Sequence, residues 1–154
     1  MNIIYSEEPV ALETGGGIFQ ALPLLGNDPF IVLSCDVITD YPLSQLPKNP
    51  EKLAHLVLVD NPSYHPNGDF CLEKNKIFFG EEKTFTFGNV GIYRPELFAD
   101  CQSGRFRLGD LLKKAIRANA VTGEKYSGFW QNLGTPQQFS SLVTLPDHLR
   151  MLSS

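Results

Sequence analysis

With 154 residues, 42% of them hydrophobic and 19% charged, the chain is long enough to bury one core and reads as a soluble globular domain. Its 17 acidic and 13 basic residues leave a net charge of −4 without any Lys/Arg cluster, which argues against nucleic-acid binding. No apolar run approaches a bilayer span, residues 1–5 lack the basic and apolar regions of a signal peptide, and Cys35, Cys71 and Cys101 are too far apart for a disulfide framework or a metal knuckle. The expected setting is the reducing cytoplasm.

Residues 2–5 are β-prone and are expected to form an opening strand. Glu13-Thr14-Gly15-Gly16-Gly17 leads into apolar residues at 18, 21, 22 and 25, which have helical spacing and end at Gly26-Asn27-Asp28-Pro29. Residues 30–33 (Phe-Ile-Val-Leu) are a continuous apolar run, the pattern of a strand covered on both faces. That run ends in Ser34-Cys35-Asp36, and a carboxylate at the end of a buried strand lies where open α/β sheets place their ligands. After a turn at Thr39-Asp40-Tyr41-Pro42, residues 43–52 are a short helix or loop broken by Pro47 and Pro50. Residues 54–59 form a second buried strand, and residues 61–68 are rich in turn formers.

Residues 70–72, 76–79 and 84–87 alternate as three short strands, with residues 80–83 as a solvated hairpin turn. Residues 90–93 make another strand, and Pro95 opens a helical turn. The clearest helix covers residues 108–118, with Leu108, Leu111, Leu112, Ala115 and Ile116 on one face. Residues 121–130 read as a strand pair turning at Gly123-Glu124, and a last helix is expected from Gln137. The alternation of strands and helices, followed by a β-rich insert, predicts an α/β domain with a mixed sheet.

Four segments, in order, resemble the sugar-1-phosphate nucleotidyltransferases. Leu12-Glu13-Thr14-Gly15-Gly16-Gly17-Ile18 is similar to their second glycine-rich signature. Leu33-Ser34-Cys35-Asp36-Val37-Ile38-Thr39-Asp40 resembles their strand ending in Gly-Asp, with Cys35 in place of Gly. Thr86-Phe87-Gly88-Asn89-Val90-Gly91-Ile92-Tyr93 resembles their sugar-site strand. Gly128-Phe129-Trp130-Gln131-Asn132-Leu133-Gly134-Thr135-Pro136 resembles their closing Trp-x-Asp-x-Gly-Thr motif. The order over roughly 130 residues is a constraint that chance matches do not meet. Within the family, the resemblance is strongest to bacterial N-acetylmuramate-1-phosphate uridylyltransferases and to mannose-1-phosphate guanylyltransferases.

The resemblance implies a Rossmann-like, glycosyltransferase-A-like nucleotidyltransferase fold, read as a single partial domain over residues 1–154. The family's triphosphate loop, Gly-x-Gly-Thr-Arg, does not occur in this sequence. By analogy, roughly 75 residues are expected to be missing ahead of Met1. Their loss is expected to expose a strand edge that another copy or a partner chain covers. The implied substrates are a nucleoside triphosphate and a sugar 1-phosphate, joined with release of pyrophosphate. Asp36 is the implied catalytic and metal-binding carboxylate, and Asn132 occupies the second metal position. Because Asn132 brings no charge, Mg²⁺ binding is expected to be weak. Leu12, Glu13 and Gly16 are the implied nucleotide contacts, and Gly68 and Asn89 the implied sugar contacts. The competing expectations are a degenerate interaction module, or one half of a split enzyme.

Read from their neighbours alone, several residues have plainer roles. The glycine triplet suits a tight βα turn, Asp36 a turn cap, and Gly68 and Asn89 local turn chemistry. Trp130 is expected to pack in the core against the last helix. His55 is expected to be a satisfied core histidine. His65 and His148 have no metal partner at suitable spacing, and Cys35 is expected to be a small buried hydrophobe.

Overall fold

The computed structural model describes residues 2–81 and 84–135. In chain order the elements are α1 (Glu13–Leu25), β1 (Phe30–Leu33), β2 (Val37–Thr39), β3 (Ala54–Val59), β4 (Phe70–Glu73), β5 (Lys76–Phe78), β6 (Thr84–Tyr93), α2 (Leu108–Arg117), β7 (Val121–Lys125) and β8 (Trp130–Asn132). Short 3₁₀ turns lie at Leu43–Gln45 and Pro95–Phe98. Six strands form one sheet in the order β1-β6-β3-β7-β5-β4, and β4 also meets β6, so the pairing closes on itself. Among the described strands only β3 and β7 run parallel. β2 and β8 make a separate two-stranded antiparallel ribbon. The α/β architecture with a mixed sheet is the one the sequence predicts.

The strand β3 is buried at five of its six positions, as its apolar run demands. Alternation sends Leu56 and Leu58 into a core with Phe98, Leu112 and Val121, and Val57 to the other face with Tyr41, Leu46, Val90 and Ile92. Each fully buried Leu or Val side chain contributes roughly 1.5–3 kcal/mol relative to exposure. The α2 helix is amphipathic as read: Leu108, Leu112, Ala115 and Ile116 are buried. Asp110 in its first turn and Lys114 and Arg117 in its last complement the helix dipole.

Several expectations are corrected. Residues 2–5 form no strand, and Ile3, Ile4 and Tyr5 are exposed. β1 is not covered on both faces. It pairs only with β6 among the described strands, and Ile31 and Leu33 are 44% and 45% exposed. An apolar run reports hydrophobicity, whereas burial depends on neighbours that residues 30–33 do not encode. The strands expected at 84–87 and 90–93 are one strand, β6, made continuous through an irregularity at residues 88–90. Gly123 does not turn the chain: β7 runs straight through it, parallel to β3. A side chain there would lie 2.5 Å from Ile77 Cδ1 and 2.7 Å from the Leu56 carbonyl oxygen, so the residue is a close-approach glycine. The helix expected from Gln137 lies outside the described residues, as do Glu82, Lys83 and His148. Among the described residues no helix is long and apolar enough to cross a membrane.

On the sheet face away from α2, His55 is satisfied as expected. Its Nδ1 lies 2.9 Å from Thr122 Oγ1, whose own hydroxyl donates to the Ala54 carbonyl at 3.4 Å. Nε2 faces Glu124 Oε1 at 3.8 Å, and that carboxylate also accepts from the Tyr41 hydroxyl. Burial lowers the His55 pKa, outweighing the upward pull of Glu124. Burial, with help from Glu124, likewise raises the Tyr41 phenol.

Two outcomes follow from this packing. Gly123→Val should lower stability by about 1–3 kcal/mol, read as a lower urea midpoint with an unchanged slope; an unmoved midpoint would show that β7 does not approach Ile77 in this way. For His55, the unfolded chain takes up a proton near pH 6.5 while the folded protein resists until lower pH. The unfolded state then binds more protons, so stability present above that pH is lost as the pH falls through the folded pKa. His55→Gln should flatten this loss in urea titrations at pH 7.5 and 5.5, and an unaltered pH dependence would exclude His55 as its source.

Candidate active site

The ribbon of β2 and β8 gathers the two residues expected to hold metal. Its register pairs Val37 with Asn132 and Thr39 with Trp130, and the Leu133 N–H donates to the Asp36 carbonyl at 2.7 Å. Asp36, just ahead of β2, and Asn132 in β8 are thereby diagonal neighbours at one end of the ribbon, although far apart in sequence. Asp36 Oδ1 is shielded from solvent and has no hydrogen-bond partner among the described residues. Such an oxygen is costly to leave unsatisfied, and it marks a place for a cation or a donor. The Tyr64 phenol is raised first by burial and then by the negative charge of Asp36, which puts that ring near the carboxylate. Asn132 Oδ1 accepts from the Gly134 N–H at 2.8 Å. An amide oxygen has a second lone pair that this turn does not use.

Asn89 is presented by the distortion of β6. Pairing with β3 passes from Leu56↔Gly91 to Leu58↔Phe87, so β6 carries two more residues than its partner over this stretch. Asn89 has a φ of 55°, a conformation that asparagine tolerates better than most residues. Its carbonyl accepts from the Ser34 N–H at 3.1 Å, and Trp130 Nε1 donates to the Gly88 carbonyl at 2.8 Å. Trp130 is therefore not the core residue expected; it is half-buried and lines a cleft.

That cleft has a volume of about 550 Å³. β6 contributes Thr86, Phe87 and Asn89, and β8 contributes Trp130 and Asn132. The loop before β4 contributes Tyr64, His65 and Asp69, the start of α1 contributes Glu13 and Thr14, and α2 adds Lys113, with Arg107 just ahead of it. Asp36 adjoins the cleft through Asn132 and Tyr64, which both line it.

The loop is fixed by Asn61. Its Nδ2 donates to the Pro66 carbonyl at 3.0 Å and to Thr84, and its Oδ1 accepts from Thr86 Oγ1 at 3.0 Å. Gly68, expected to touch sugar, has a φ of 57° and packs on Asn61 in a turn closed by its N–H to the His65 carbonyl. It shapes the loop, while its neighbours line the cleft. His65 does have an acidic partner: Nε2 lies 3.2 Å from Asp69 Oδ1, and Asp69 Oδ2 accepts from the Phe87 N–H at 2.8 Å. Three residues of loop separate the two, a spacing that reveals nothing until the turn at Gly68 folds them together.

Of Leu12, Glu13 and Gly16, only Glu13 lines the cleft. Its carboxylate pairs with Arg105 at 2.8 Å. The Leu12 carbonyl accepts from the Phe106 N–H, and the Gly16 N–H donates to the Phe106 carbonyl, both at 3.1 Å. A side chain at Gly16 would meet the Gly104 carbonyl oxygen at 2.3 Å. Gly15 and Gly16 thus lie inside α1 and admit the close approach of residues 104–106, and the Gly16 amide is not open to a ligand as it stands. Cys35 is exposed, contrary to the expectation of burial.

In fold, the chain is that of a nucleotidyltransferase. The inositol-1-phosphate CTP transferase from T. maritima superposes with a TM-score of 0.69 over 95% of this chain and 63% of its own, at 14% identity. A putative glucose-1-phosphate thymidylyltransferase from Bacillus anthracis gives 0.66 over 87% of this chain and 63% of its own, also at 14% identity. In sequence, the chain is 44% identical over 147 residues to the N-acetylmuramate alpha-1-phosphate uridylyltransferase of Neisseria meningitidis serogroup B, a match covering 88% of this chain and 63% of that protein. The enzyme of the same name from Caulobacter vibrioides is 31% identical, with 88% of this chain and 62% of that protein covered. No protein-family model matches the chain. The chain is thus a relative of the sugar-1-phosphate nucleotidyltransferases by fold and by sequence, and it spans about 63% of the length of the relative from Neisseria.

Proposed function

We propose that this chain contributes the sugar-facing part of a nucleotidyltransferase site that joins a nucleoside triphosphate to a hexose 1-phosphate, with UTP and N-acetylmuramate 1-phosphate as the first substrates to test. The observation that carries the reading is that Asp36 Oδ1 is shielded and lacks a partner among the described residues, at the end of the ribbon where Asn132 pairs with the next residue, Val37, beside the cleft. The 44% identity to the uridylyltransferase from Neisseria supports the choice of base and sugar.

The chemistry asks more of position than of acid or base groups. The attacking oxygen of a sugar 1-phosphate is already anionic, so nucleotidyl transfer needs alignment and charge neutralisation. Asp36 would hold Mg²⁺ through its carboxylate and Asn132 through its amide oxygen; when bound, the ion offsets the phosphate charge. Asn89 would hydrogen-bond the hexose, with Gly68 shaping the loop beneath it. Glu13, at the start of α1, would face the nucleotide, with Leu12 and Gly16 setting the backbone beside it. Trp130 and Phe87 would give the sugar ring an apolar wall. The expected setting is the cytoplasm, and among the described residues no disulfide forms.

The direct measurement is pyrophosphate release from UTP, N-acetylmuramate 1-phosphate and Mg²⁺. With an amide at the second metal position, turnover should fall well below the median enzyme rate of about 10 per second. Asp36→Ala should abolish it. Absence of both pyrophosphate release and any ligand-induced rise in melting temperature would defeat the reading. Asn132→Asp restores a second carboxylate and should tighten Mg²⁺ binding several-fold by calorimetry, about 1 kcal/mol or more. An unchanged affinity would mean that Asp36 and Asn132 do not share an ion.

A further inference from the structure

Among the described residues lining the cleft, Arg107 and Lys113 are cations and His65 adds an imidazole. His65 is held by Asp69 at 3.2 Å. Lys113 lies 3.8 Å from Asp110, a neighbour in its own helix. Arg107 differs. Its nearest carboxylate is Glu13, at 3.9 Å from Nε, and the same Glu13 oxygen is taken by Arg105 at 2.8 Å. The two terminal nitrogens of Arg107 have no partner among the described residues. The carboxylates among the described lining residues, Glu13, Asp69 and Asp110, each have a basic side chain nearer to them than Arg107 is to Glu13. Among the described residues, Arg107 thus brings the one guanidinium to the cleft lining, with its terminal nitrogens uncommitted, on the residue just ahead of α2. The proposed phosphate end is on other elements, at Asp36 and Asn132.

We infer that Arg107 is a specificity-determining residue that reads a carboxylate on the sugar. This rests on the function proposed above and names the feature by which the site would choose among hexose 1-phosphates. A planar guanidinium matches a carboxylate through two parallel N–H donors, a match that an ammonium cannot reproduce. An N-acetylmuramate carries such a group on its lactyl ether, at the far side of the ring from the reacting phosphate. N-acetylglucosamine 1-phosphate offers the same ring and phosphate without the acid. A cleft of about 550 Å³ has room for a hexose with that substituent.

Calorimetric titration of the full chain with each of these two sugar phosphates, in the presence of Mg²⁺, tests the inference. The unaltered protein should bind the acid-bearing sugar more tightly. Arg107→Gln should weaken that sugar by about tenfold and leave N-acetylglucosamine 1-phosphate within about twofold, the signature of one lost charge-assisted contact. Arg107→Lys should fall between. The side chain is 74% exposed, so a thermal melt of each variant should match that of the unaltered protein. Equal loss for both sugars would assign Arg107 to the shared phosphate and overturn the inference, as would no loss for either. Failure of the unaltered protein to bind either sugar phosphate would instead strike the proposed function, and the inference would fall with it.

Discussion

Over the two residues that β3 takes from Leu56 to Leu58, β6 takes four, from Gly91 to Phe87. This mismatch removes ladder partners from the backbone between them, and those groups must be satisfied elsewhere. The Gly88 carbonyl finds Trp130 Nε1, and the Asn89 carbonyl finds the Ser34 N–H. The first bond ties β8 to the main sheet. The second ties down the connection that leads from β1 into Asp36. Because β2 and β8 pair only with each other among the described strands, these two links and the contacts around Asp40 help to hold the ribbon in place. The distortion that exposes Asn89 to the cleft is therefore also the one that brings up Asp36 and Asn132. Straightening β6 would cost the site its amide and its anchorage together.

The parts of the fold that a sequence can reveal are those set by periodicity within one element. β3 and α2 fall into this class: their apolar positions repeat at two and at 3.6 residues, and burial follows the pattern. Gly123 was misread because a glycine before an acidic residue is the usual mark of a turn, while here it answers to Ile77, a residue from another strand. β1 was misread because its composition is that of an interior strand and its place is at an edge. At the site the division is similar. Asp36, Asn89 and Asn132 were legible through the order of their motifs. His65, Trp130 and Arg107 were not, since each acquires its place from a contact across the fold: Asp69 beyond the turn at Gly68, the Gly88 carbonyl, and the mouth of the cleft at α2. Gly16 shows the converse. Its signature was recognised, but its amide serves Phe106.

The amide at position 132 changes the electrostatics of this corner in two opposing ways. Two carboxylates placed across neighbouring strands repel, and without a cation one of them would be driven toward its protonated form. Asn132 avoids that repulsion, and its oxygen still closes the turn to the Gly134 N–H. The β2–β8 ribbon can therefore persist with Asp36 as its single charge at this corner, which favours a folded state that does not depend on metal. The same exchange halves the negative charge that would attract a dication. Asp36 keeps one oxygen shielded and unsatisfied, so some drive toward a cation remains. An ion here would have to draw most of its remaining coordination from substrate phosphates and water, as Mg²⁺ readily does. Metal and substrate would then bind as a unit, each completing the site for the other, and the affinity for either alone would understate what the assembled corner can hold.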